Sequence, residues 1–231
     1  MNHLDLEDLE RSVREEMEAY FREQGLTEEQ QKALLFDQKR FARSIVWLYD
    51  LDLQHKKILD LGAPSLATRI VKRFFPNNSF TNTNFDLRTE FPYFDESFDV
   101  ILNMEVIEHI FDLELLHRTT LSGVKHVLSE CWRVLARGGY MFLTTPNACS
   151  IWIIQRALLQ QPPMLYEYHF REFTFSEILD LLKATGFQIK RAVAEKVWHF
   201  WDFGPIEDFI RKNDYSLENR GDDTFVLAQK P

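Results

Sequence analysis

The sequence predicts an α/β protein with a mostly parallel sheet covered by helices on both faces. Two observations lead there. From residue 56 onward, short apolar runs alternate with amphipathic stretches, and the connections between them are brief. Over the first fifty residues no such run occurs, and apolar residues recur only at helical spacing. The chain therefore divides into a helical extension, or cap, over residues 1–50 and an α/β domain over residues 51–231.

The extension opens with Leu6, Leu9, Val13, Met17 and Tyr20 at steps of three and four, the stripe of an amphipathic helix. Gly25 is a stop, and Thr27-Glu28-Glu29-Gln30 a capped start. A second helix carries Leu34 through Leu48. In the α/β part, Lys57–Leu61 reads as a buried strand, and a helix near 66–75 is halted by Phe75-Pro76-Asn77-Asn78. Ser79–Phe85 is the expected second strand and FDVILNM (98–104) the third. A helix over 123–136 leads through Gly138-Gly139 into a fourth strand, YMFLTT. A helix over 174–185 ends at Gly186. Two late strands follow at 187–193 and 224–228, the last antiparallel at or near the sheet edge.

With 36 acidic against 27 basic residues the net charge is −9, and no basic cluster offers itself to a phosphate backbone. Nucleic acid is thus disfavoured as a partner. Much of the excess acid lies in the first thirty residues and reads as a solvated helix face. The two cysteines, Cys131 and Cys149, form no metal or redox motif. The acidic start MNHLDLEDLE lacks the apolar core of a secretion leader, and no apolar run is long enough to span a bilayer. A cytoplasmic location is expected.

In open parallel sheets, ligands gather at the carboxyl ends of the strands. Asp60-Leu61-Gly62-Ala63-Pro64-Ser65 follows the first strand and feeds a helix N-terminus, a place that favours an anionic group. Gly62 lets the backbone turn and a ligand approach, although such a turn wants a small residue in any case. The turn lacks G-x-G-x-x-G, which speaks against a dinucleotide. A ligand without phosphates tolerates that loss.

From residue 56 to 230 the chain resembles class I S-adenosylmethionine-dependent methyltransferases, of the ubiquinone-biosynthesis kind and the type 11 and type 23 domains. ILDLGAPSLATRI resembles that family's first motif, FPYFDESFDVILNMEVIEHI and ECWRVLARGGYMFLTTPN its fourth- and fifth-strand blocks, and YHFREFTFSEILDLLKATGF its late helical segment. The resemblance implies a Rossmann-like sheet, S-adenosylmethionine as cofactor and methyl transfer as the reaction. There are two departures. The first motif keeps one glycine of three, and residues 79–97 are too few for the usual strand, helix and strand. One helix and the third family strand are expected to be missing.

The same resemblance implies roles. Asp60 would reach the methionine ammonium, with Gly62, Ala63 and Pro64 along the cofactor. Asn103, Met104 and Glu105 would flank its methionine and methyl. The ribose acid is hard to place: Asp86 lies at about the spacing nucleotide folds use, with Asn82 and Asn84 as neutral alternatives. Asp86 suits the adenine amino group equally. Glu105, Glu108, His109 and His169 resemble the metal quartet of small-RNA 2′-O-methyltransferases, but the same block shapes the cofactor pocket in relatives without metal, and no metal is expected. His169 is the expected general base; a structural histidine is the other reading. The acceptor, a small amphiphile, glycan or lipid-linked intermediate methylated at oxygen, would lie between the first helices and residues 147–172. WHFWDF (198–203) would wall the same cavity or contact a second copy in a homodimer. A metal-assisted RNA methyltransferase and a catalytically silent cofactor-binding subunit are the alternatives.

Overall fold

A computed structural model describes residues 5–112, 121–198 and 203–231. Helix α1 (Leu6–Gln24) starts where the Asp5 carboxylate accepts the Glu7 N–H at 3.0 Å. It stops at Gly25, whose φ of 62° closes the helix in the left-handed region. Its buried residues Leu9, Val13, Met17 and Phe21 form one stripe. Helix α2 (Glu28–Leu35) opens on a reciprocal cap between Thr27 and Gln30. The sequence pattern runs on as one helix to Leu48, but the chain breaks at Phe36–Asp37 and α3 (Gln38–Tyr49) begins anew. Asp37 explains the break. Its carboxylate accepts from Arg40 Nε and from the Trp198 indole N–H, each at 3.1 Å, and so ties the turn to a distant part of the chain.

Strands β1 (Lys57–Asp60), β2 (Ser79–Asn82), β3 (Phe98–Met104), β4 (Leu135–Pro146), β5 (Gln188–Glu195) and β6 (Asp223–Gln229) form one sheet in the order β2-β1-β3-β4-β6-β5. The first four run parallel. Strand β6 is antiparallel to both β4 and β5. The antiparallel last strand therefore lies one place in from the edge, and β5 is the edge strand. Strand β2 stops at Asn82, short of Phe85, and β4 starts at Leu135 across an irregular register with β3. Residues 83–97 hold neither helix nor strand, so the shortened middle read from the sequence is real.

Alternate strand residues feed two cores, as the pleat requires. Ile58, Val100, Leu102, Phe142 and Leu227 face a layer made by α1, α3 and α4 (Leu66–Phe74), which contribute Met17, Ile45 and Ile70. Leu59, Ile101, Met141, Leu143 and Val226 face the other layer, with Val127 from α5 (Ser122–Val134) and Leu182 from α7 (Phe175–Thr185). The first helices thus supply a large part of the layer on one face. Their acidic residues are not all solvated: Glu16 and Glu23 of α1 pair with Arg69 of α4.

Two helices were not read from the sequence. These are α6 (Ile151–Leu158) and α8 (Gly204–Lys212), which join through Ile151, Phe203 and Ile210. Trp198 is buried and stacks on Phe36 at 5.8 Å, so both described ends of the WHFWDF run are packing residues. His199 to Asp202 lie outside the described residues. Among the described residues no helix is long and apolar enough to cross a membrane.

Candidate active site

The end of β1 meets the start of α4 at a turn whose side chains are already engaged. Asp60 is buried; its Oδ2 accepts from Thr68 Oγ1 at 2.5 Å and from Asn82 Nδ2 at 3.1 Å. Burial outweighs these bonds and pushes the carboxyl up to about 6. Gly62 follows with φ 100°, a conformation other residues rarely adopt. Its N–H donates to Thr83 Oγ1 at 2.6 Å, and nothing lies within 4 Å of where a Cβ would stand. Ala63 and Pro64 are exposed, and Ser65 caps α4 reciprocally with Thr68. Parallel pairing sets Asn82 beside Asp60. Asn84 and Asp86 are exposed beyond it. Arg88 bonds the Asp86 carboxylate through three nitrogens and holds it down at about 2.

The end of β3 carries a buried polar cluster. Asn103 is fully buried, with neither amide atom hydrogen-bonded, and Met104 is buried next to it. Glu105 turns into the left-handed region at φ 55°. Its Oε1 accepts from Thr144 Oγ1 at 2.8 Å and lies 4.0 Å from Arg40. A 3-10 turn (Ile107–His109) then carries Glu108, whose Oε2 accepts from Thr145 Oγ1 at 3.0 Å while Oε1 has no partner. Asp223, opposite Pro146 at the start of β6, is buried with both oxygens unpartnered. Burial raises Glu105, although Arg40 opposes it. Burial and the Glu105 charge raise Glu108 and Asp223 well above the usual carboxylate range. Burial works against the Arg40 cation, but Asp37 and Glu105 outweigh it.

His169 is held over this cluster by its neighbours. The N–H groups of Phe170 and Arg171 donate to the Glu108 carbonyl at 3.0 and 3.3 Å, and Asn147 bridges to Phe173. The imidazole lies edge-on to His109, with ring centres 4.8 Å apart, and its Nδ1 is 2.7 Å from Glu172 Oε1. One donor atom each of Glu108, His109 and His169 falls within 4.8 Å of the others. Metal–ligand bonds of about 2.1 Å would bring tetrahedral donors to about 3.4 Å of one another. With small side-chain shifts these three donors could hold a metal ion, and Glu108 Oε1 has no hydrogen-bond partner.

The structure thus gathers Asp60 and Gly62 at one strand end, and Glu105, Glu108, His109 and His169 at the next. It leaves Asn84 and Asp86 outside the polar contacts of Asp60. Sequence reading missed Arg40, Thr83, Thr144, Thr145, Glu172 and Asp223. Arg40 had a signal: a charge set directly beside Phe41 and Ala42 on the buried face of its helix. Thr144-Thr145 and Asp222-Asp223 had another, polar pairs at strand ends on the side where ligands gather.

A family model described as a methyltransferase domain matches residues 16–192. A probable S-adenosylmethionine-dependent methyltransferase of Mycolicibacterium smegmatis is 27% identical over 135 residues, 58% of this chain and 45% of that relative. A ubiquinone biosynthesis O-methyltransferase of Sinorhizobium medicae is 28% identical over 141 residues, 58% of this chain and 48% of the relative. The chain spans about half the length of these curated relatives. The crystal structure of an S-adenosylmethionine-dependent methyltransferase from Archaeoglobus fulgidus shares the fold, with a TM-score of 0.56 at 15% identity, over 86% of this chain and 99% of that one. The family match runs unbroken through the Gly62 turn, the β3 and β4 ends and the His169 segment, and the chain belongs to the methyltransferase-domain family of class I S-adenosylmethionine-dependent enzymes.

Proposed function

We propose that the chain moves a methyl group from S-adenosylmethionine to an oxygen of a small-molecule acceptor, such as a glycan or lipid-linked intermediate. One observation carries the reading. An open glycine turn, a buried acid, a buried cation with one nitrogen outside any hydrogen bond and an oriented imidazole all belong to the carboxyl-end side of one sheet.

The residues fit the cofactor's chemistry. Its ammonium calls for an acid, and Asp60 is one. Its carboxylate calls for a cation, and Arg40 Nη1 makes no hydrogen bond, with only the Glu105 carboxylate 4.0 Å away. The space beside Gly62 admits a ligand against the backbone of Ala63 and Pro64. Asn103 keeps two unpaired polar atoms for a ligand, with Met104 and Glu105 next to it. On the ribose side Asn82 already touches Asp60, whereas Asp86 would first have to release Arg88. When bound, the cofactor supplies a methyl group made electrophilic by its sulfonium. The chain's own work is to align the acceptor and hold its proton. His169 takes that proton. Exposed Leu158, Leu159, Tyr166, Tyr168 and Phe170 border the imidazole in sequence and suit an apolar or aromatic acceptor body.

Calorimetry with S-adenosylhomocysteine tests the cofactor half of this reading, and the absence of binding would overturn it. An acceptor screen read by mass spectrometry tests the other half. Binding without methyl transfer to any hydroxyl compound would leave a cofactor-binding subunit.

A further inference from the structure

We propose that Glu172 is a positioning residue, holding the hydrogen of His169 on Nδ1 so that Nε2 meets the acceptor as a bare lone pair. The proposal rests on His169 being the base, and its test separates the two ideas.

The pair is buried: the side chains of His169 and Glu172 are 5% and 2% exposed, with Nδ1 to Oε1 at 2.7 Å. A carboxylate only accepts hydrogen bonds, so the hydrogen between them sits on Nδ1. A neutral imidazole in water prefers its hydrogen on Nε2; the carboxylate inverts that preference. Glu172 cannot swing away freely, because the same Oε1 accepts the Leu165 N–H at 2.5 Å. The ring cannot turn freely either. Its backbone N–H donates to the Tyr166 carbonyl at 3.1 Å, the next two residues are tied to Glu108, and His109 and Tyr166 stand edge-on against it at 4.8 and 5.5 Å. The ring's contact with Glu172 is made through Nδ1, which leaves Nε2 for the acceptor. A base held in one tautomer by a buried carboxylate is the arrangement that lets an imidazole accept a proton without first reorienting. In the step itself the acceptor's O–H bond breaks, its electron pair stays on oxygen, and the proton bonds to Nε2. The resulting ring cation keeps its Nδ1–H on Glu172, whose charge offsets it.

The test is ring-nitrogen NMR on the full chain labelled with ¹⁵N-histidine, with His169 assigned by the signal lost in His169→Asn. The wild type should show a protonated Nδ1 and a bare Nε2. Glu172→Gln keeps the volume and an oxygen for the Leu165 N–H but loses the charge. It should shift His169 toward the Nε2–H form, while S-adenosylhomocysteine affinity by calorimetry stays as in wild type. Glu172→Asp keeps the charge and should restore the Nδ1–H form, which covers the case of a poorly folded amide variant. A wild-type ring protonated on Nε2, or a tautomer indifferent to Glu172→Gln, overturns the proposal. Once the screen yields an acceptor, Glu172→Gln should lower kcat about tenfold to a hundredfold with KM little changed. If the tautomer responds and kcat does not, Glu172 still positions the ring, and it is the base reading of His169 that falls.

Discussion

Arg40 on α3 and Glu105 at the end of β3 face each other at 4.0 Å, with the Arg40 side chain only 6% exposed. Helix α3 therefore supplies the cation of a polar cluster built otherwise on strand ends. Removing one partner of a buried charge pair leaves the other uncompensated, at about 3 kcal/mol or more. Arg40→Gln should lower unfolding stability in urea by that order, and Asp223→Asn in the same chain should recover part of it. An Arg40→Gln protein as stable as wild type would show that the cation compensates nothing.

The pH behaviour of Asp60 has a definite sign. Its carboxyl is raised from 3.8 to about 6 in the fold, mainly by burial. Folding therefore favours the protonated form, and the contribution to stability is full below about pH 4 and lost as pH rises through 6. The loss is on the order of 3 kcal/mol. Asp60→Asn should remove this dependence and match or exceed the wild type in stability at pH 7, yet bind S-adenosylhomocysteine more weakly. Wild-type affinity should also fall as pH drops below 6, where the acid loses its charge. A mutant that is less stable at pH 7 and binds normally would refute both halves.

Gly62→Val should weaken S-adenosylhomocysteine binding at least tenfold. Two effects combine: a φ of 100° strains any branched side chain, and the added methyls enter space that is now open. Calorimetry reads the affinity and thermal unfolding reads the strain. Unchanged affinity would move the cofactor away from this turn.

His169→Asn should lower turnover by about a hundredfold to ten-thousandfold and leave cofactor affinity nearly unchanged. Turnover should also survive treatment with EDTA, because a His169 that acts as a base is not at the same time ligating a metal with Glu108 and His109. Activity lost with chelator and restored by magnesium or manganese would mean that these side chains close around a metal in the working enzyme.

The sheet was legible in the sequence wherever a strand is buried on both faces. FDVILNM and YMFLTT are nearly continuous apolar runs with polar ends, and such runs have few other uses. The missing middle was legible too, since chain length bounds what residues 79–97 can hold. The break at Asp37 was not, because its partner Trp198 lies far along the chain and helical periodicity reports only local neighbours. Helices α6 and α8 bury one short face against each other, and at eight and nine residues they are too short for helical periodicity to repeat often enough to mark them. In the site, Asp60 and His169 stood out by position after strands. Glu172 and Asp223 matter through contacts that only the fold creates.

The place of β6 also bears on how this chain reaches its native state. It follows β5 in sequence yet inserts between β5 and β4, pairing Tyr140 with Gln229 at one end and Pro146 with Asp223 at the other. Until it arrives, β4 and β5 each present a bare edge, and α1 and α3 lack part of the surface they will cover. Such distant pairing closes large loops before it returns any stability, so folding should be slow and pass through states prone to stick to one another. Conditions that delay the insertion of this single strand will then decide yield more than conditions that weaken the finished protein.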